Sequence, residues 1–306
     1  VPLLLVISFI VFTLIHLAPY DAIDAQITSN MSQEEINILR EQSGLNKPFL
    51  IQYVDWLGQI LSGNFGHSLV THNSVGEEIL AKIPNTISLV LPAYVTALVI
   101  AIVLGLLAAA NKGKWQDKLI DAVASLGIAT PSFWIAMIFI YVLGYQLNLF
   151  PIIGMHTIGK EDDFGDFLSH FIMPYLTLTI VFFAELTRYV RSSALSQTNE
   201  EYVVVQQAFQ ATKTQIFTRH IIKNVLIPVI TQVGMSLPML VTGAIITETV
   251  FSWPGIGPYI TQATRALDYP IIMAVMLLSA TLVIVGNLIS DILYSIVDPR
   301  IRRGGK

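Results

Sequence analysis

Long apolar runs constrain this chain more than any other feature. Val1 to Leu17 is broken only by Ser8, Thr13 and His16, and residues 86–110, 120–147, 171–190, 226–251 and 271–297 are further apolar stretches. A helix crosses a bilayer with about 17–25 apolar residues, and only helices or closed barrels satisfy their backbone there. The spacing therefore predicts an all-α integral membrane protein with six transmembrane helices. Composition agrees, since 54% of the 306 residues are hydrophobic and 12% charged, well outside the range of soluble domains. Cysteine is absent, which excludes disulfides and thiolate metal sites. No basic cluster with interleaved aromatics points to nucleic acid.

The chain starts inside its first apolar run without methionine or a basic leader, so a few preceding residues are expected. A cleaved signal peptide is the rival, but no small-residue cleavage site follows convincingly. Residues 18–85 have mixed charge and Asn and Gly, and are expected to lie outside the bilayer as one extracytoplasmic segment ahead of a core region, 86–306, that holds the other five runs. Sidedness follows from basic residues. Lys112, Lys114, Lys118, Arg188, Arg191, Lys213, Arg219, Lys223, Arg300, Arg302, Arg303 and Lys306 fall on one side, against Arg40, Lys47, Lys82, Lys160 and Arg265 on the other. The first side is read as cytoplasmic, with both termini on it. The opposite side is acidic, which serves solubility or attracts cationic partners.

Between the fourth and fifth runs stands a polar insert, Glu200 to Ile230. Asn199 is available as an N-cap and Glu200 and Glu201 suit the positive end of a helix dipole, so one short helix is predicted over Glu201–Phe209. Phe217, Ile221 and Val225 recur every four residues, with Ile222 and Leu226 beside them. That pattern predicts a second, amphipathic helix ending near Pro228. A solvated linker between two membrane helices would carry the same pattern.

The insert resembles the EAA loop of membrane-spanning subunits of binding-protein-dependent ABC importers, in the dipeptide/oligopeptide/nickel branch. Glu201, Tyr202, Val203, Ala208, Ile216, His220, Asn224 and Pro228 fall on its pattern. Gln206, Gln207 and Gln210 stand where the family has Ala, Arg and Gly. The missing glycine predicts a less sharp or shifted turn. A second resemblance is carried by ETVFSWPGIGPYI (Glu248 to Ile260), by Asp268, Tyr269 and Pro270, and by the closing SDILYSIVDPRIRR. A third lies in Gly44 to Leu69, with Lys47, Pro48, Gln52, Tyr53, Trp56, Leu57, Gly63, Gly66 and Ser68 in matching places.

The resemblance implies the type I ABC importer permease fold, with cytoplasmic coupling helices in 191–225. It also implies a bacterial cytoplasmic (inner) membrane location and several partners: a second homologous permease, two ATP-binding cassette subunits, and an extracytoplasmic substrate-binding protein. No G-x-x-x-x-G-K-[ST] loop is present, so ATP and Mg are expected on the partners, with no cofactor, metal or catalytic residue in this chain. Coupling to the ATPases is expected from Glu201, Tyr202, Val203, Ala208, Phe209, Gln210, Ile216, His220, Asn224 and Pro228. Contact with the binding protein is expected from Gln52, Tyr53, Trp56 and an interfacial turn at Trp253, Pro254 and Gly255.

Pro131, Gly234, Ser236, Pro238 and Glu248 are candidates for the substrate path, with helix packing as the alternative. Glu185, Glu248 and Asp291 lie within or near span ends, where charge is expensive. Structural pairing is one reading of them, with Glu185 facing Arg188 at i,i+3. His67, His72, His156 and His170 are read as loop histidines rather than metal ligands. Short peptides are the expected cargo, with nickel or a metal–chelator complex as the alternative. An ion-gradient-driven secondary transporter is the alternative of another class; it would favour mid-membrane charge and an inverted repeat.

Overall fold

The computed structural model describes residues 2–17, 31–42, 46–242 and 244–297. Among them the architecture is helical, and one isolated bridge pairs His67 with Ser74. The first helices are α1 (Pro2–His16), α2 (Gln33–Gln42) and α3 (Phe49–Leu61). At the start of α2, Ser32 and Glu35 exchange bonds: Ser32 N–H donates to Glu35 Oε2 at 2.8 Å, and Glu35 N–H to Ser32 Oγ at 3.3 Å. This is a capping box, and the Ser32 backbone donor holds the Glu35 carboxyl below its ordinary range.

The core is a pair of long helices, α4 (Val75–Ala110) and α7 (Phe164–Gln197). On α4, Ala93, Ala97, Ala101, Gly105 and Ala109 recur every four residues and are all buried. On α7, Leu178, Phe182, Leu186, Val190 and Ala194 do the same. Small residues facing larger ones at one spacing let two helices approach closely in lipid, where packing rather than the hydrophobic effect drives association. Gly105 shows how close: a Cβ there would meet Val190 Cβ at 2.7 Å.

Between these two lie α5 (Trp115–Ala129) and α6 (Ser132–Phe139), the latter running on as a π-helical segment over Ile140–Gln146. The expected single span over 120–147 is bent by 96° between them. Pro131 sits at the break, before α6, where its ring and missing N–H prevent the helix from continuing. Gly127 packs on Ala184 of α7. The turn from α4 to α5 is fastened to α7 by a bidentate pair. Arg191 Nε and Nη2 donate to the Asp117 carboxylate at 2.6 and 3.0 Å, and Gly113 N–H donates to the same group at 2.8 Å.

The second half of the chain comprises α8 (Glu201–Ala208), α9 (Lys213–Ile216), a π-helical turn Phe217–Ile221, α10 (Ile222–Thr242), α11 (Ile245–Val250), α12 (Ile256–Arg265) and α13 (Tyr269–Val297). Gly234 of α10 rests against Ser290 and Gly286 of α13. Among the described residues α4, α7 and α13 are each long and apolar enough to cross a membrane, and counting the bent α5–α6 pair as one span gives four. The helices run beyond the expected apolar spans: α4 begins at Val75 and α7 covers Phe164–Gln197, because the helices propagate through Glu77, Glu78 and Lys82 and through the polar ends of α7. The apolar stretch 226–251 is two helices, α10 and α11.

Candidate functional site

The polar insert folds into a platform joined to the ends of α4 and α7. Glu200 is the N-cap of α8, with extended backbone. The helix closes in a Schellman motif: Ala211 N–H reaches Gln206 O at 3.1 Å and Gln210 N–H reaches Gln207 O at 2.9 Å. This places Gln210 at the left-handed position, φ +62°, the one glycine favours. The expectation of a blunter or shifted turn is thus corrected. The turn is kept, and Gln210 bears the strain, because two backbone bonds close only with that residue left-handed. Gln210→Gly is expected to stabilise the chain by about 1 kcal/mol, read as a higher unfolding midpoint in detergent.

Thr212 then opens α9 with a second capping box, its Oγ1 accepting from Gln215 N–H at 3.3 Å while Gln215 Oε1 accepts from Thr212 N–H at 2.9 Å. The two insert helices are held by one buried cluster: Val203, Ile216, Phe217, Ile221, Val225 and Val229 pack on Ala109, Val190 and Ala194. Val203 and Ile216 are therefore structural anchors. Tyr202 is half-buried, its hydroxyl donating to Gln197 Oε1 at 3.1 Å. Glu201, Ala208, Phe209 and Gln210 are exposed. Beside them Val204 and Val205 are also exposed, and Phe209 is 79% so. An apolar tip on an anchored helix offers a contact surface for another protein. His220 is half-buried, and Asn224 and Pro228 line an open cleft of about 810 Å³ with Tyr189, Ser193 and Asp291.

The opposite end of the molecule is closed by the turn between α11 and α12. Trp253 is wholly buried among the rings of Phe167 and Phe171, and its Nε1–H donates to Asn85 O at 2.8 Å. Asn85 Nδ2 returns a bond to Pro254 O at 3.0 Å, and Ile256 N–H donates to Thr86 Oγ1 at 2.9 Å. Glu248 is fully buried and accepts Gly257 N–H at 2.7 Å. Gly255 and Gly257 are glycines of necessity: a Cβ on either would fall within 2.5 and 2.7 Å of Glu248 Oε2. Nearby, Ser68 Oγ donates to the buried Asp268 at 2.5 Å, tying the 66–74 loop to the start of α13.

This geometry corrects several expectations. Trp253 is an internal anchor rather than an interfacial one, because its ring and N–H are both satisfied inside. Tyr53 and Trp56 turn toward α1, with their rings 5.1 and 5.3 Å from Phe9 and Phe12 and Tyr53 Oη 2.8 Å from Ser8 Oγ. Gln52 Nε2 donates to Lys47 O. Glu248 is enclosed by its own turn, and Gly234 is a packing contact. Ser236 accepts Tyr94 Oη–H at 2.9 Å. Pro131 marks the bend between α5 and α6, while the side chain of Pro238 and the closing Asp298–Arg303 motif lie outside the described residues. Among the described residues Glu185 and Arg188 form no ion pair. Sequence reasoning missed the Asp117–Arg191 clamp and the four-residue ridges of α4 and α7. The ridge spacing was visible in the sequence, whereas the clamp joins residues 74 apart.

The chain is similar to known membrane components of transport systems. Residues 101–303 match the model of the binding-protein-dependent transport system inner membrane component, and residues 1–90 match that of the N-terminal part of such membrane components. The oligopeptide transport system permease protein AppB of Bacillus subtilis is 38% identical over 302 residues, covering 98% of this chain and 96% of that one. The dipeptide transport system permease protein DppB of Alkalihalophilus pseudofirmus is 33% identical, covering 99% and 96%. The metal-staphylopine import system permease protein CntB of Staphylococcus aureus is 34% identical, covering 100% and 96%.

Proposed function

Because the chain belongs to the family of binding-protein-dependent transport system inner membrane components, we propose that it is one of two permease subunits of an ATP-driven importer of short peptides. The observation that carries this reading is the full-length similarity to peptide permeases, with the exposed tip of α8 supplying a place for the ATPases to act. In this reading the chain crosses the cytoplasmic membrane six times with both termini inside. α1, the bent α5–α6 pair and α10 complete the set begun by α4, α7 and α13.

The mechanism is mechanical. Partner ATPases close on ATP, and a cleft on their surface carries Ala208, Phe209 and the neighbouring valines with it. Val203, Ile216, Phe217 and Ile221 pass that motion through one packed cluster to α4, α7 and α10. A binding protein delivers the peptide from outside. ATP hydrolysis is supplied by the partners. A metal–chelator cargo has the metal-staphylopine relatives in its favour, and the peptide reading has the better support.

Two measurements test the reading together. A gentle-detergent pull-down from native membrane is expected to recover a second permease and P-loop ATPases. Uptake into vesicles with collapsed ion gradients is expected to continue as long as ATP is present. Uptake that stops with the ion gradient and ignores ATP would instead establish a secondary transporter.

A further inference from the structure

Beside the Trp253 turn a cavity of about 360 Å³ is lined by Lys82 of α4, Thr249 of α11, and Tyr259 and Arg265 of α12. Its charge is one-sided. Among its described lining residues Lys82 and Arg265 are the charged groups, and no acid joins them. Lys82 is half-buried, with its Nζ 5.1 Å from the centre of the Tyr259 ring, and Arg265 is exposed at the last position of α12. Among the described residues neither cation forms an ion pair. Two cations on one cavity repel each other, and an anion between them reverses the sign of that interaction.

The same walls hold two hydroxyls without partners. Tyr259 is 8% exposed, and among the described residues its Oη and Thr249 Oγ1 are buried with no hydrogen bond. Buried polar atoms are nearly always bonded, because one left unpaired bears the full cost of its desolvation. Two acids stand near Tyr259, and neither lines the cavity. Glu78 does not reach bonding distance of the hydroxyl, and its carboxylate accepts from Asn73 Nδ2 at 2.7 Å. Asp268 accepts from Ser68 Oγ and Leu69 N–H. The acids of the chain are therefore engaged elsewhere. Pro254 and Pro258 add apolar wall beside the cations.

We infer that this cavity is a binding site for a small organic carboxylate. Its two oxygens accept from Lys82, Arg265 and the two hydroxyls, and its carbon stem lies on the prolines. A planar guanidinium matches a carboxylate better than a point charge does, and charge-assisted bonds are the strong ones. The cavity is near the lower end of the size range of small-molecule sites, which limits the stem to a few carbons. The inference goes beyond the importer reading and does not depend on it. A ligand held by Lys82 and Arg265 ties α4 to α12 across the Trp253 turn.

The chain has no cysteine, so one thiol at the exposed lining residue Gln262 reports on the cavity, read in the detergent-solubilised complex by mass spectrometry of this subunit. At constant ionic strength, sodium butyrate is expected to slow labelling of Gln262→Cys by the neutral reagent N-ethylmaleimide about threefold, the effect of a site about two-thirds occupied. Butyramide, of the same shape and uncharged, leaves the rate unchanged, as does butyrate for Thr264→Cys, exposed on α12 outside the cavity. Protection disappears when Lys82→Gln or Arg265→Gln is added. Tyr259→Phe weakens protection without lowering the unfolding midpoint of the ligand-free chain, since the hydroxyl it removes has no partner to lose. Absence of protection by butyrate, or equal protection by butyramide, overturns the inference, and stronger protection by inorganic phosphate overturns the choice of a carboxylate. A lowered midpoint for Tyr259→Phe with protection intact makes the hydroxyl structural and removes it from the site. No transport is needed for these readings, so failure of ATP-dependent uptake would count against the importer reading alone.

Discussion

Ala208→Arg is expected to abolish substrate uptake while leaving the chain folded and in the membrane. Ala208 ends α8 and is exposed, and Arg is nearly as good a helix former as Ala. The chain by itself therefore has no reason to object to the substitution. The objection comes from a partner: burying an unpaired charge at a packed interface costs about 2–5 kcal/mol, a loss of roughly 30-fold or more in ATPase association. Uptake should fall at least in proportion, and surface expression should not. Normal uptake with Ala208→Arg would remove α8 from the coupling mechanism. Val203→Asp is no substitute for this test, since Val203 is buried at 3% and its loss would unseat the whole platform.

Trp253→Ala is expected to destabilise the isolated chain by about 3–5 kcal/mol, the cost of emptying a large aromatic site. The ring has no exposed surface, contacts Phe167 and Phe171, and fixes Asn85 through its N–H. Trp253→Phe keeps much of the packing and loses the bond to Asn85 O, for a further comparison of about 0.5–1.5 kcal/mol. Both are read as unfolding midpoints in detergent. An unchanged midpoint for Trp253→Ala, together with weaker binding-protein docking, would restore the outer contact that the sequence pattern suggests.

The difference between what the sequence discloses and what it conceals follows the range of the interactions. Apolar runs reveal α4, α7 and α13 because bilayer thickness acts on each segment alone. The same criterion is silent on where the helices end, since Glu77 and Glu78 are as helical as the apolar residues after them. Pro131 announces a break but not a bend of 96°, which depends on what α6 packs against. In the insert the every-four pattern is local and legible, while the first N-cap falls on Glu200 rather than Asn199 and the capping box at Thr212 went unread. The conformation of Gln210 is not, because a Gln at a left-handed position is set by bonds from Ala211 and Gln210 to the preceding turn. Trp253 and Glu248 mislead for a common reason: their partners, Asn85 of α4 and Gly257 of α12, are brought to them by packing between elements, which the local pattern does not encode.

The close approaches along α7 also decide how it can move. Its tightest contacts, at Ala184 and Val190, leave about 23 residues toward Phe164 and about 10 toward Gln197, roughly 35 and 15 Å of rod. Between them and beyond, the buried ridge from Leu178 to Ala194 lies against α4, so this stretch of α7 is held along its length rather than at a point. A push on the Glu200–Ala208 platform therefore meets α4 and α7 as one stiff body.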